Sequence, residues 1–218
     1  MRSVWQRFLA SLTPGVRILL CLFGAACLAA VTGKLTGRFD PGGWLDLSGP
    51  TFWSGQIWRI VTYALLPAGV LDFIFNGFAL ILLGGRLERQ WSRGEFWLYC
   101  LVTATGAGLA KVVLQGSNPL PLTGAAPMMV GLLAAWAFQF GREKMSFAPF
   151  GEIAVWKLVL GAGAIGFIGM SLSAGFGAAM VMMAGGLTGL LYLGLRHRWM
   201  MSRPGSVATA ERINHLEL

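Results

Sequence analysis

The sequence predicts an all-α integral membrane protein with six spanning helices and both chain termini in the cytoplasm. Of its 218 residues, 56% are hydrophobic and only 12% are charged, and the mean hydropathy is +0.65. Such a composition lies outside the range of soluble globular domains. Six apolar runs and an uneven distribution of arginine and lysine give the number of spans and their orientation.

The apolar runs are each close to the length of about 20 residues that a helix needs to cross a bilayer. They cover residues 16–33, 68–87, 95–114, 124–141, 153–171 and 176–196. We therefore expect a cytoplasmic segment at 1–15, a membrane domain at 16–196 and a cytoplasmic tail at 197–218. The first run is long enough to span and lacks a clear small-residue cleavage site, so it predicts an anchor and not a removed signal peptide.

The basic residues fall mainly on one side of these six runs. That side carries Arg2, Arg7, Arg17, Arg86, Arg89, Arg93, Arg142, Lys144, Arg196, Arg198, Arg203 and Arg212. The other side carries only Lys34, Arg38, Arg59 and Lys111, and Lys157 lies within a run. The positive-inside rule therefore places both termini in the cytoplasm. The net charge of +8 is explained by arginines that meet anionic lipid headgroups, so no nucleic-acid partner is expected.

The longest stretch between two runs, residues 34–57, is rich in aromatic side chains. It carries Trp44, Phe52 and Trp53, and Trp58 follows directly. Aromatic rings of this kind prefer the level of the lipid headgroups. The first loop is therefore expected to lie in the outer interface of the membrane.

Small residues are frequent inside the apolar runs. The chain has 31 glycines, and small residues allow helix backbones to approach closely in lipid. A compact bundle is expected. Three cysteines, Cys21, Cys27 and Cys100, lie inside apolar runs, so their spacing indicates packing residues and no disulfide framework.

Residues 55–99 contain a pattern that resembles the rhomboid family of intramembrane proteins. Trp58, Arg59 and Thr62 match a Trp-Arg pair and a threonine in the first loop of that family. The second helix and the start of the third then match at Asn76, Gly84, Leu87, Glu88, Gly94 and Tyr99. The resemblance covers roughly residues 16–196. It implies the six-span topology with cytoplasmic termini and, in active members, an intramembrane serine protease.

The nucleophile of rhomboid proteases lies at the start of the fourth span, in a Gly-x-Ser-Gly motif that is followed four residues later by another glycine. Aligning that later glycine with Gly131 places the first glycine at Gly124 and the serine at Ala126. The resemblance therefore implies that this chain lacks the nucleophile. Pro127, which follows, is suited to the first turn of a helix.

The catalytic base of the family lies in the sixth span, in the pattern His-x-x-Gly-x-x-x-Gly. Gly185 and Gly189 match its two glycines, and the histidine then falls on Met182. The resemblance therefore implies that the base is absent as well. As a core residue, Met182 would serve packing only.

Two further family positions are substituted. The histidine that helps to hold the oxyanion matches Asp72, and the aromatic residue on which the catalytic histidine stacks matches Val130. An ionised carboxylate accepts hydrogen bonds, so it would destabilise a developing oxyanion. Asn76, one turn after Asp72, is the one remaining donor of the family site. No basic residue is placed beside Asp72 with certainty, and Arg59 is the nearest by sequence.

Catalysis by displaced residues is the alternative to inactivity. A lysine base at Lys157 would need a serine at Ser117, Ser171 or Ser173, all predicted at the far end of the bundle, more than half a bilayer away. Thr123 precedes a glycine, but it is three residues from the register that Gly131 sets. The two histidines, His197 and His215, both follow the last span.

Other intramembrane hydrolases need groups that the apolar runs do not carry. A paired-aspartate protease needs two carboxylates that share a proton, and Asp72 is the one aspartate in any run. The sequence contains no His/Glu metal-binding cluster. No metal and no cofactor are therefore expected.

The sequence thus predicts a catalytically inactive rhomboid-like protein of the bacterial inner membrane. Its expected partners are the lipid bilayer and the transmembrane segments of client proteins, which inactive family members are thought to bind without cutting. Active proteolysis by a displaced dyad is the alternative. A small-solute conduit is a third hypothesis, which rests on Asp72 and Asn76 only.

Overall fold

The computed structural model describes residues 12–37, 39–116, 118, 120–147 and 151–201. The expected cytoplasmic segments, 1–15 and 197–218, lie for the most part outside these residues.

Six long helices form the bundle, and the predicted all-α fold is confirmed. They are α1 Pro14–Thr36, α2 Val70–Gln90, α3 Arg93–Gln115, α4 Ala126–Phe140, α5 Val155–Ala174 and α6 Phe176–Met201. Five of them are long and apolar enough to cross a membrane, whereas α4 has only 15 residues. At 1.5 Å per residue, α4 is roughly 22 Å long. We call the end of the bundle near Arg86, Arg93 and Arg196 the arginine-rich end, and the other the opposite end.

The fourth helix is shorter than the predicted run of 124–141. Gly124 has a φ of 105°, a backbone conformation that side-chain-bearing residues rarely adopt, so the helix cannot begin before this turn. Pro127 then lies in the first turn of α4, where its missing N–H group is not needed. Ala126, which the motif alignment matches to the family's nucleophile, is therefore the first residue of the helix.

The connection between α4 and α5 contains a hairpin that the sequence analysis did not predict. Strand β1, Lys144–Phe147, pairs antiparallel with β2, Gly151–Ala154. The start of the predicted fifth run, 153–171, is therefore wrong by two residues, because Ile153 and Ala154 belong to the strand. Apolar residues followed by an apolar helix give no break in hydropathy at this boundary.

The first loop folds into three short helices on the surface of the bundle. They are Gly42–Leu45, Gly49–Trp53 and Arg59–Thr62. The second is stabilised by a capping box between Ser48 and Thr51, which satisfies backbone groups at its start. The indole side chains of this loop are exposed, as an interfacial position requires.

A two-residue bridge connects the first loop to the segment before α4. The N–H of Leu47 donates to the carbonyl of Leu122 at 3.1 Å, and the N–H of Leu122 returns a bond of 2.7 Å to Leu47. Leu47 is fully buried. The loop therefore fixes the backbone immediately before Thr123 and Gly124.

Glu88 connects α2 to the start of α1 at the arginine-rich end of the bundle. Its carboxylate accepts hydrogen bonds from the N–H of Gly15 at 2.7 Å, from the N–H of Val16 at 3.0 Å and from the hydroxyl of Thr13. The first N–H groups of a helix have no partner within the helix and favour negative charge. Glu88 is buried, so the bond network defines where α1 begins.

The second helix is not a regular α-helix throughout. Residues Leu80–Gly84 form a π-helical segment between the α-helical parts Val70–Ala79 and Gly85–Gln90. Gly84 lies where a Cβ would press on the side chains of Val16 and Phe96. This close approach explains glycine at that position of the motif.

Small residues bring α6 against α3 and α4. A methyl group at position 185 would collide with the carbonyl oxygen of Pro127, and one at position 189 would collide with the hydroxyl of Tyr99. Gly131 of α4 lies in the same way against Thr103 of α3. The predicted compact packing through glycine is therefore present at these helix contacts.

Lys111 is buried, which its assignment to the outer side did not imply. It lies near the end of α3 at the opposite end of the bundle, which is the side expected from the sequence, but it does not extend into the loops, since only 3% of the residue is exposed. The three cysteines are free, as expected, with Cys27 and Cys100 buried and Cys21 exposed.

Candidate functional site

Ala126 and Met182, which the motif alignment matches to the family's nucleophile and base, lie in neighbouring turns of two packed helices. Pro127, next to Ala126, contacts α6 at Gly185, and Val130 contacts it at Gly186. Met182 lies one turn before these glycines on α6. Ala126 and Met182 therefore belong to one region at the opposite end of the bundle.

Neither side chain at these two positions can take part in acyl transfer. Ala126 has a methyl group, and the thioether of Met182 is at most a weak acceptor. Met182 is buried, and its terminal methyl lies 3.4 Å from where a Cβ on Gly166 of α5 would be. The side chain fills space between helices, which is the packing role expected of a core methionine.

Asp72 and Asn76 lie beside the same region and bond to each other. The amide nitrogen of Asn76 donates to Asp72 Oδ1 at 2.6 Å, and the N–H of Ala68 donates to Asp72 Oδ2 at 3.1 Å. Asp72 Oδ2 is 3.3 Å from the position of a Cβ on Gly124. The carboxylate therefore faces the turn that precedes α4, where it presents an acceptor.

Arg59, the basic residue nearest to Asp72 by sequence, bonds to other groups. It is buried, and its guanidinium donates to the carbonyls of Gly43 and Asp46, the latter at 2.7 Å, and to the side chain of Gln56 at 2.6 Å. These acceptors lie in the first loop. Arg59 thus holds that loop together.

Thr123, the displaced nucleophile considered above, lies beside a carboxyl group of the first loop. Burial raises the pKa of Asp46; a hydrogen bond from Thr123 opposes this shift, Asp40 adds to it, and Arg59 opposes it. Asp46 and Thr123 both line a cavity of about 600 Å³ at the opposite end. The side chain of Thr123 therefore serves a loop contact and has no histidine or lysine partner among the described residues.

The structure also does not bring Lys157 together with the serines considered as its partners in the described part of the chain. Lys157 lies 5.5 Å from the ring centre of Trp156, and Ser171 is fourteen residues away, or about 21 Å along α5. The hydroxyl of Ser173 donates to the carbonyl of Gly169 at 2.8 Å. Ser117 lies outside the described residues.

The described histidine, His197, is equally remote. His197 lies at the arginine-rich end in a cavity beside Gln90 and Arg196, fifteen residues or about 22 Å from Met182 along α6. His215 lies outside the described residues. Within the part of the chain that the structure describes, no group of three His, Cys, Asp or Glu side chains could hold a metal ion.

Sequence reasoning missed one polar group, the buried Lys111. Its position in the run 95–114 was visible, but the sequence does not show which face of α3 is covered. The inward face follows from the contacts of Gly106 and Gly108, which lie against Thr188 and Ile60.

Comparison with known proteins identifies the family. A Rhomboid domain matches residues 54–203. Among similar proteins are the rhomboid protease GlpG of Serratia proteamaculans, 31% identical over 146 residues that cover 66% of this chain and 50% of the relative, and GlpG of Yersinia pestis, 29% identical over 118 residues, 54% of this chain and 42% of the relative.

A third similar protein is the rhomboid protease GluP of Bacillus subtilis, 27% identical over 110 residues, which are 50% of this chain and 21% of that protein. The chain thus spans half or less of the length of these curated relatives. The Rhomboid domain nevertheless covers more than half of the 218 residues. With its apolar helices, the chain is a multi-pass integral membrane protein that belongs to the rhomboid family.

Proposed function

We propose that this chain is a rhomboid pseudoprotease of the bacterial inner membrane, which binds transmembrane segments of client proteins without cleaving them. The observation that carries the proposal is the pair Ala126 and Met182 at the positions where rhomboid proteases have serine and histidine. Among the described residues, no other nucleophile hydrogen-bonded to a base takes the place of this pair. Without an activating base, even a correctly placed hydroxyl is a weak nucleophile.

The register that leads to these positions is supported by contacts that need glycine. Gly131 lies against Thr103, Gly185 against the backbone of Pro127, and Gly189 against Tyr99. A shift of one residue in α4 or α6 would put a side chain into one of these contacts. The alignment therefore does not depend on motif letters alone.

Binding of a helix is supported by an apolar cavity of about 460 Å³ beside the degenerate site. Three helices form its walls, which are almost wholly apolar: Val130, Leu133, Ala134 and Ala137 of α4, Val159, Leu160, Gly163, Ala164 and Phe167 of α5, and Met183, Gly186, Leu187 and Leu190 of α6. Small residues in these walls permit close approach of a further helix.

The alternatives receive less support from the contacts. A displaced protease dyad would need a nucleophile bonded to a base, and none of the considered pairs has this bond in the described part of the chain. A solute conduit would need Asp72 and Asn76 free to bind solute, but they are bonded to each other.

Client capture is tested by photocrosslinking in membranes. A photocrosslinking amino acid is placed at Val130 or Leu160, in the walls of the cavity. It is expected to capture membrane proteins that have not been cleaved. The same group at Leu28, an exposed residue of α1, is the matched control. Identical captured proteins at all three positions would contradict a site at this cavity.

Inactivity is tested separately with a serine-directed fluorophosphonate and a transmembrane reporter. The natural chain and Ala126→Ser are expected to show no cleavage, because Met182 supplies no base. Cleavage is conceivable only for the combination of Ala126→Ser with Met182→His and Asp72→His. Cleavage by the natural chain that is lost in Thr123→Ala or Ser173→Ala would establish the displaced-dyad alternative.

A further inference from the structure

Lys111 is a buried cation that lacks a charged partner. It lies one turn before the end of α3, is 3% exposed, and its ammonium donates to the side-chain oxygen of Gln115. The ion pairs recorded among the described residues involve other groups. A buried ammonium is costly unless an anion or several acceptors compensate it. One neutral amide oxygen leaves most of this requirement unmet.

The side chain lines a cavity of about 600 Å³ at the opposite end of the bundle. Its walls come from four parts of the chain: Lys111, Leu114 and Gln115 of α3, Asn118, Leu120, Pro121 and Leu122 of the next loop, Ser173 and Ala174 of α5, and Gly177, Ala178 and Val181 of α6. These residues include no acidic side chain. The single full charge in the wall is therefore positive.

Several other groups in the cavity are hydrogen-bond donors. The amide nitrogen of Gln115 lies 3.0 Å from where a Cβ on Gly177 would be, which places it over the first turn of α6. Helix α6 begins at Phe176, and its first recorded backbone hydrogen bond is donated by the N–H of Ala178 to the carbonyl before the helix. The donors that remain at its positive end are therefore the N–H groups of Phe176 and Gly177. Asn118 uses its side-chain oxygen as an acceptor for the N–H of Leu120, which leaves its amide hydrogens available.

Two leucines of the cavity wall are exposed, Leu114 by 57% and Leu120 by 66%, and further exposed apolar residues lie next to other wall residues in the chain. Val113 is 77% exposed, Leu172 84% and Phe176 65%, and these residues come from the ends of α3, α5 and α6. In a bilayer, side chains at these positions contact acyl chains. A ligand that combines an anionic group with hydrocarbon chains would satisfy both the buried donors and this rim.

We propose that the cavity around Lys111 is a binding site for the phosphate headgroup of an anionic phospholipid, whose acyl chains lie along the apolar rim. The phosphate oxygens accept hydrogen bonds from Lys111, Gln115 and the start of α6. None of the residues that line this cavity is at a degenerate catalytic position. The proposal therefore does not depend on client binding or on the loss of proteolysis.

The test uses the whole protein, purified in a neutral detergent and freed of lipid. Short-chain phosphatidylglycerol, short-chain phosphatidylcholine and inorganic phosphate are added in turn. Thermal unfolding and native mass spectrometry report binding. Phosphatidylglycerol is expected to raise the unfolding temperature and to remain bound, whereas phosphatidylcholine and inorganic phosphate have much smaller effects.

Two variants remove the charge, Lys111→Gln and Lys111→Met. Each is expected to bind phosphatidylglycerol at least tenfold more weakly, and Lys34→Gln, which changes an exposed lysine of α1, is the matched control that keeps binding. The methionine side chain is apolar and of similar length, so the Lys111→Met protein is expected to fold at least as stably as the natural chain without lipid.

Three results would overturn the proposal. Equal binding of phosphatidylglycerol and of phosphatidylcholine, whose phosphate is balanced by an ammonium group, would show that a net negative charge is not required, and this result is independent of any variant. Unchanged binding by both Lys111 variants would place the lipid elsewhere. Equal stabilisation by inorganic phosphate would show a site for a free anion and not for a lipid.

Discussion

Helices α5 and α6 follow each other in the chain and are both rich in glycine, yet their glycines do different things. In α6, Gly185 and Gly189 lie where any Cβ would collide with a neighbouring helix. In α5, Gly161, Gly163 and Gly169 have no atom of another helix within 4 Å of the place where a Cβ would be. Glycine in an apolar helix therefore marks a close contact only when another helix is actually there.

The difference extends to burial. The one buried residue of α5 is Val155, at its first position, whereas α6 buries Ala179, Val181, Met182 and Leu193. Helix α6 is held by α3 and α4 along its length, and α5 covers one side of this group. Substitutions in α6 should thus affect the whole fold, and those in α5 should remain local.

The largest expected effect comes from Gly185→Val. The new side chain would overlap the backbone of Pro127, which cannot move without displacing the start of α4, and overpacking of this kind costs several kcal/mol. Thermal unfolding in detergent should show a variant that is strongly destabilised or does not fold. Gly163→Val in α5 is the matched control, since it makes the same residue change in open space. Equal destabilisation of the two proteins would refute the comparison.

Glu88→Ala should have the next largest effect, because it removes the hydrogen bonds between α2 and the start of α1. Two buried backbone N–H groups, of Gly15 and Val16, lose their acceptor, at about 1–3 kcal/mol for each unsatisfied group. Chemical denaturation should give a loss of roughly 3 kcal/mol. Glu152→Ala, which removes an exposed carboxylate of β2, should change stability little, and a similar loss there would argue against the helix-start explanation.

Tyr99→Phe should have a moderate effect. The buried hydroxyl of Tyr99 donates to the carbonyl of Gly131 at 2.6 Å, and such a bond contributes about 1 kcal/mol. Tyr192 stacks edge-on against Tyr99, and no hydrogen bond of its hydroxyl is recorded within the described residues. Tyr192→Phe is therefore the control, and unfolding measurements should rank Tyr99→Phe as the less stable protein. The reverse order would contradict the assigned role of the hydroxyl.

The smallest effect is expected for Gly169→Ala in α5, and it should be stabilising. Alanine favours a helix over glycine by up to about 1 kcal/mol, and nothing lies near the new methyl group. The same change at Gly189 should be destabilising, because its methyl group meets Tyr99. Opposite shifts in unfolding temperature would sharpen the comparison, whereas shifts of the same sign would show that helix propensity dominates in both helices.

Hydropathy alone located all six helices, since each has an apolar run of nearly the right length. The pairing of Asp72 with Asn76 was also predictable, because residues four apart share a helix face. The contacts between helices could not be predicted from the sequence in the same way. The burial of Lys111 depends on which face of α3 meets other helices, and the partners of Arg59 depend on the fold of the first loop. Both are set by residues far apart in the chain.

The π-helical segment Leu80–Gly84 has a consequence for how relatives of this protein are aligned. A π-type hydrogen bond spans one residue more than an α-type bond, so the segment acts as a single-residue insertion in α2. Relative to an uninterrupted helix, the part with Asp72 and the part with Glu88 are turned by roughly 100°. A relative that is one residue shorter here can keep both parts in place by forming a regular helix. Alignment gaps in this helix therefore belong between 80 and 84, and not in the connecting loops.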